Sequence, residues 1–257
     1  MNKLELFDFV FNDGEEYTNF YFNNRRNKVV SYQINLYGNT IALVNVVDIQ
    51  ICSDSKKYKT ALITGVCTHP DYRHQGVMQK LLLSTLDKLK NQNYDFAILS
   101  PKDDNYYKKY AFKSLVKGNQ KKIISKQNND FSTKNATKID TKLIFDLYKS
   151  YCTNKKYYQY LSNDIICDLI DEFSMQGSSI QIILQKDIPI GWIATESNKI
   201  ELAILPDLNI LQNLKQFDGY YYFEQKFDGE KDLFQIKYLK NEFESIDINS
   251  MFIINKY

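Results

Sequence analysis

The sequence predicts a mixed α/β protein in which an antiparallel meander runs into a parallel β-α-β unit, and three observations carry that reading. A two-residue hairpin signal, Gly38-Asn39, separates two β-rich runs. An alternating strand over 58–68, an apolar-striped helix over 76–90 and a compact apolar strand over 95–100 then follow with short links. The order helix, helix, meander, helix, strand finally returns in the second half of the chain.

Taken in order, residues 4–25 read as helical around an Asn12-Asp13-Gly14 break, with Leu4, Phe7, Val10 and Phe11 at three-to-four spacing. Strands over 28–37 and 40–52 flank the hairpin signal. In the helix over 76–90, Met78, Leu82, Leu86 and Leu89 share one face, which Val77, Leu81 and Leu83 widen. The stretch Lys117–Lys126 holds Lys117, Lys121, Lys122 and Lys126 with no acid, and reads as a solvated strand or linker. Beyond residue 125 the pattern gives helices over 139–152 and 161–176 and strands over 180–186, 189–197 and 200–205. A helix over 206–217 and strands near 219–227, 233–239 and 250–256 complete it. Ile200-Glu201-Leu202-Ala203-Ile204-Leu205-Pro206-Asp207 echoes Leu62 to Asp71, with Pro-Asp recurring at the strand-to-helix turn. The second copy reads Leu208-Asn209-Ile210-Leu211 where the first has Arg73 and Gly76, so a duplication is expected in which only the first copy keeps its turn chemistry.

Composition narrows the function classes. A hydrophobic content of 44% supports a large core, and 33 basic against 31 acidic residues leaves none of the basic excess of a nucleic-acid binder. Cys52, Cys67, Cys152 and Cys167 are widely spaced and there are two histidines, which gives no metal-ligand spacing and fits reduced thiols. No run approaches the roughly 18 apolar residues of a membrane span, and the charged start lacks a signal-peptide pattern. A cytoplasmic location is therefore expected, with no membrane and no nucleic acid as partners.

Two segments carry chemistry. In Gly65-Val66-Cys67-Thr68-His69-Pro70-Asp71-Tyr72-Arg73-His74-Gln75-Gly76-Val77-Met78 a buried strand ends in a proline turn and an Arg-x-x-Gly loop opens a helix. Unpaired N–H groups and the positive end of the helix dipole meet there, at the carboxyl end of a parallel strand where open sheets hold ligands. Gly76, lacking Cβ, lets a diphosphate approach the N–H groups of Gln75, Gly76, Val77 and Met78, and Arg73 adds a cation with His74 beside it. On these residues alone the loop is either such an anion site or a plain connection with a surface arginine. The second segment, Asn105-Tyr106-Tyr107-Lys108-Lys109-Tyr110-Ala111-Phe112-Lys113, starts near the same sheet edge. A tyrosine there, with a phenol pKa near ~10, is matched to donate a proton to a thiolate whose thiol lies near ~8.5, or else it packs the core.

Together, Val66–Leu82 and Phe96–Phe112 resemble the GNAT superfamily of acetyl-CoA-dependent N-acetyltransferases. The likeness rests on Pro70, Arg73 and Gly76 in the phosphate-loop motif and on Tyr107 and Phe112 in the later Tyr-rich signature. Met78 and Ala111 stand where the family prefers Gly or Ala, and Gly. Within it the chain is similar to the Eis-like branch, which implies a GNAT fold in residues 1–125 followed by a second, degenerate GNAT-like domain in 126–257. The resemblance implies acetyl-CoA as cofactor, held by Val66, Cys67, Thr68, Arg73, His74, Gln75, Gly76, Val77 and Met78. It also implies direct transfer to an amine (aminoglycoside-like, polyamine or lysine), with Tyr107 as proton donor and the C-terminal carboxylate of Tyr257 as candidate base. His69 is a further candidate, and Asp8, Asp13, Glu15 and Glu16 are placed to attract a cationic acceptor. A homo-oligomer built through the second domain fits the same branch. The competing reading is a non-catalytic acyl-CoA-binding or assembly module.

Overall fold

The computed structural model describes residues 1–126, 128–225, 229–240 and 251–253. Helix α1 (Lys3–Phe11) starts with a capping box in which the Asn2 side chain accepts from the Leu4 and Glu5 N–H groups while the Glu5 carboxylate accepts from Asn2 N–H. Asn12, left-handed at φ 56°, ends it at the expected break. A short helix, α2 (Glu15–Asn19), widens into a π-turn at Phe20–Asn24. Strands β1 (Val29–Leu36), β2 (Asn39–Cys52) and β3 (Lys57–Thr68) form the antiparallel meander. Leu36 lies opposite Asn39, so the hairpin turn is Tyr37-Gly38, one residue earlier than the signal placed it. Both take positive φ, 48° and 78°, as a type I′ turn requires.

Helix α3 (Val77–Asn91) then crosses over to β4 (Phe96–Leu99), which returns parallel to β3. Its Met78, Leu81, Leu82, Leu86 and Leu89 are buried against Ala42, Val44 and Val46 of β2. Burial of five such side chains is worth on the order of 10 kcal/mol. The opposite face of β2 is covered by α1: Leu43 packs with Leu6, Phe7, Tyr21, Phe22 and Cys67. Two covered faces explain why β2 reads as a nearly continuous apolar run.

The remaining elements are β5 (Lys113–Lys122), β6 (Phe131–Asn135), α4 (Thr141–Cys152), β7 (Tyr157–Gln159), α5 (Asn163–Met175), β8 (Ser179–Gln185), β9 (Ile188–Glu196), β10 (Lys199–Ile204), β11 (Tyr221–Gln225), β12 (Lys231–Tyr238) and β13 (Met251–Phe252). The helix expected over 206–217 is instead two 3-10 turns, Leu208–Asn213 and Lys215–Phe217. Leu211, Leu214 and Phe217 are its buried side chains, and their spacing of three matches the three residues per turn of a 3-10 helix. The lysine-rich stretch is no linker: β5 lies between β12 and β11, antiparallel to both, and Lys121 reaches Glu224 at 2.7 Å.

Among the described residues, thirteen strands join one mixed sheet, ordered β13-β7-β2-β3-β4-β12-β5-β11-β10-β9-β8-β6, with β1 also on β2. The two blocks share an order of elements, since β10 lies parallel to β11 as β3 does to β4. Each block lends a strand to the other: β4 takes β12 as its neighbour and β11 takes β5. The largest core is likewise common to both, running from Val47, Ile49 and Ile51 of β2 through α4 and α5 to Trp192 of β9.

Candidate active site

The site begins where two strands part. β3 and β4 pair at Thr60–Phe96, Ala61–Ala97 and Leu62–Ile98 and no further, although β3 continues six residues to Thr68. On its other edge β3 stays paired with β2 but is bulged, because Leu43 faces Cys67 while Asn45 faces Thr64. Gly65, at φ +55°, makes the bulge. A Cβ there would lie 2.7 Å from Asn45 Nδ2 and 2.9 Å from the Phe7 ring, so glycine is required by both backbone and space. His69 N–H donates to Ile41 O at 2.9 Å, and peptide groups alternate along a strand. The peptide of Cys67 therefore faces β2, while those of Val66 and Thr68 face the gap. Cys67 also turns its side chain away, into the core under α1, so it is set apart from the other expected cofactor contacts. Burial pushes its thiol up to about 12, which leaves no thiolate for an acyl-enzyme route.

The loop beyond β3 is stitched by its own side chains. His69 Nδ1 accepts from Asp71 N–H at 3.3 Å and its ring stacks on Phe9 at 5.5 Å, which engages the nitrogen a base would need. Arg73 Nε donates to Thr68 O at 3.1 Å, and Gln75 Nε2 donates to Asp71 O at 2.8 Å. His74 and Gly76 both take positive φ, 60° and 75°. Gly76 is the N-cap of α3, no side chain caps the helix, its first turn carries no acid, and a Cβ on Gly76 would meet nothing within 4 Å. The unpaired N–H groups of Val77 and Met78 thus open onto space beside the gap, with the helix dipole behind them. That is the donor set a diphosphate needs, and the gap-facing peptides of β3 suit the amide-bearing arm joining a diphosphate to a thioester.

Tyr107, like Val66 and Val77, packs against the apolar cluster under α3. Its ring meets Tyr106 edge-on at 4.9 Å and Phe112 at 5.9 Å. Burial first, and the Tyr106 and Tyr110 phenols second, raise its hydroxyl above the ordinary tyrosine range. Ala111 sits at φ 63°, a left-handed position that favours glycine. Tyr257 lies outside the described residues. Asp8 accepts from Gly14 N–H at 2.9 Å and closes the turn between α1 and α2.

Against the other side of the bulge lies a polar group in an apolar layer. Asn45, wholly buried, has the Tyr21 hydroxyl as a polar neighbour. Nearby Tyr17 donates to Glu172 of α5 at 2.7 Å, and Arg25 pairs with Glu172 at 3.5 Å, both charged side chains being 1% exposed. Arg26 adds a bond to Asp168 at 2.9 Å. Asn45 was visible in the run Ile41-Ala42-Leu43-Val44-Asn45-Val46-Val47, and Asp168 and Glu172 fall four apart on the apolar stripe of α5.

Among the described residues, no cluster of His, Cys, Asp and Glu is arranged to hold a metal ion, and no helix is long and apolar enough to cross a membrane. Residues 3–114 match the family model described as an acetyltransferase (GNAT) domain. No curated protein matches the chain. Several solved structures share its fold. A conserved protein from Enterococcus faecalis, described as a "probable N-acyltransferase", is 12% identical with TM-score 0.68 over 92% of this chain and 69% of its own. A GCN5-related N-acetyltransferase from Anabaena variabilis is 14% identical with TM-score 0.66 over the same shares, 92% and 69%. Eis1 from Mycobacterium abscessus is 8% identical with TM-score 0.55 over 81% of this chain and 64% of its own. Residues 3–114 thus match a GNAT acetyltransferase domain, inside a fold that these proteins share over most of this chain.

Proposed function

We propose that the chain transfers an acetyl group from acetyl-CoA directly to an amine, and that its second block is a degenerate copy of the first, with β5 and β12 exchanged between them. The observation that carries the reading is the parting of β3 from β4 after Leu62, with the uncapped α3 N-terminus and left-handed Gly76 at its end. The N–H groups of Gln75, Gly76, Val77 and Met78, with Arg73 and His74 beside them, would hold the diphosphate, and the peptides of Val66 and Thr68 the pantetheine arm. When bound, acetyl-CoA supplies an acetyl group activated as a thioester. A gap-facing N–H of β3 polarises the carbonyl oxygen, as backbone donors do for a developing oxyanion. The acceptor nitrogen forms the C–N bond as the C–S bond breaks, and Tyr107 Oη gives its proton to the departing sulfur. The proton lost from nitrogen balances it through solvent. As a phenol, Tyr107 enters the reaction protonated at neutral pH. Acceptors of the polyamine, aminoglycoside or lysine class fit the chemistry alike.

Thiol release from acetyl-CoA in the presence of spermidine, tobramycin or a lysine peptide tests this. Tyr107→Phe should bind CoA as the wild type does and turn over at least ~10²-fold more slowly. Undiminished turnover removes Tyr107 from the mechanism. CoA binding with no thiol release from any amine replaces the enzyme by a non-catalytic acyl-CoA-binding module.

A further inference from the structure

β12 belongs to the second block, yet it lies against β4 of the first, with Gln235 opposite Leu99 and Ile236 opposite Ile98. At that position its polar side chains do not face solvent chemistry of their own. They bind the loop that follows β4. Gln235 Nε2, on a wholly buried side chain, donates to the Asp104 carbonyl at 2.7 Å and to Asp232 Oδ2 at 2.7 Å. Asp232 N–H donates to Asp104 Oδ2 at 3.0 Å, and Ser114 Oγ donates to Asp232 Oδ2 at 2.9 Å. Farther along the strand, Lys237 Nζ donates to the Tyr110 carbonyl at 2.7 Å.

The two attachment points, Asp104 and Tyr110, bracket Tyr106 and Tyr107. Between them the loop is closed by its own turn bonds, Tyr110 N–H and Phe112 N–H to Tyr107 O at 3.0 and 3.4 Å. A loop tied at one end swings about the tie. Tied at both, it holds the ring between them in one place, and positioning to a fraction of an ångström is what proton donation in a transition state demands. The partly desolvated ammonium of Lys237 is a costly way to tie a carbonyl. A neutral pair would have served packing alone.

We infer that Lys237 and Gln235 are positioning residues for Tyr107, so that the second block completes the active site of the first through its exchanged strand. This rests on the reading of Tyr107 as proton donor, and the experiment separates the two. Lys237→Met keeps an unbranched apolar stem, one atom shorter, and removes its donor, while Lys237→Arg keeps a donor. Turnover with the fastest of the three amines named above, CoA affinity by calorimetry and amide exchange of residues 104–112 are compared in the full chain. In Lys237→Met, kcat should fall about 10-fold with CoA affinity unchanged, the amides of Tyr110, Ala111 and Phe112 should exchange at least about 10-fold faster, and Lys237→Arg should restore both. Gln235→Met should act in the same direction at Asn105 and Tyr106. The inference is overturned if exchange does not change, if exchange rises while kcat holds, or if CoA affinity falls together with kcat. If Tyr107→Phe alone keeps full turnover, the proton-donor reading fails whatever Lys237 does.

Discussion

The chain contains the Pro-Asp turn twice, and only the first copy opens into an uncapped α-helix. In the first, Pro70-Asp71 leads through left-handed His74 and Gly76 into an uncapped helix of 15 residues. In the second, Pro206-Asp207 leads straight into a 3-10 turn, with Asp207 capping the N–H of Asn209 at 2.8 Å. Both follow a strand that runs parallel to a partner and then departs from it: β3 and β4 pair over three positions, β10 and β11 over two. The parting of strands is therefore a property of the architecture. The proposed anion site is a separate addition, resting on one glycine, one genuine α-helix and the absence of a side-chain cap.

The largest effect is expected where the blocks are joined. Glu172 of α5 is buried beside Arg25 of the first block and accepts from Tyr17. Removing one member of a buried pair strands the other charge, which costs about 3–5 kcal/mol. Glu172→Ala should lose that much in urea unfolding, with the double variant Arg25→Met, Glu172→Leu recovering most of it. A loss below about 1 kcal/mol would show that the blocks do not depend on this pair.

Next in size is the glycine that separates the two turns. Gly76→Glu places bulk and negative charge on the open side of the α3 N-terminus and strains a left-handed position. CoA should bind at least ~100-fold more weakly, about 2.7 kcal/mol, by calorimetry. Gln212→Glu makes the matching change in the second turn, 136 positions on from Gly76, and should leave CoA affinity within about twofold. Equal losses from both variants would sink the contrast between the turns.

Sequence patterns reached much of this. The strands 58–68 and 95–100, the helix between them and the glycine opening it come from local periodicity and turn chemistry, and β3, α3 and β4 form there. The long β2 and its hairpin were equally local. What stayed hidden depends on partners far along the chain. β6 and β7 are too short to alternate, and β7 exists because Ile51 and Cys52 offer an open edge. The exchange of β5 and β12 cannot be read from either strand, since both alternate as any half-buried strand does. Gln235 and Lys237 stand two apart in the strand expected over 233–239, a spacing that by itself marks only one face of an ordinary strand. At Pro206 the echo of a helix start was misleading, because the apolar spacing behind it is three rather than three-to-four.

The smallest effect concerns strain beside the site. Ala111 closes the Tyr107 loop at φ 63°, whereas in the second block Asp187 takes φ 65° at the tip of the β8–β9 hairpin. An alanine at such an angle costs about 1–2 kcal/mol, and glycine there gives back roughly half of that through its greater freedom in the unfolded chain. Ala111→Gly should therefore stabilise the protein by ~0.5–1 kcal/mol, a rise of about 2 °C in Tm by thermal unfolding. Asp187→Gly should gain in the same direction. The two differ in what they touch. Ala111 lies directly after Tyr110, whose carbonyl is held by Lys237, so if that bond fixes the loop, Ala111→Gly gains stability with kcat within about twofold of the wild type. A larger fall in kcat would mean that the left-handed alanine itself, rather than the tie from β12, holds Tyr107 in place.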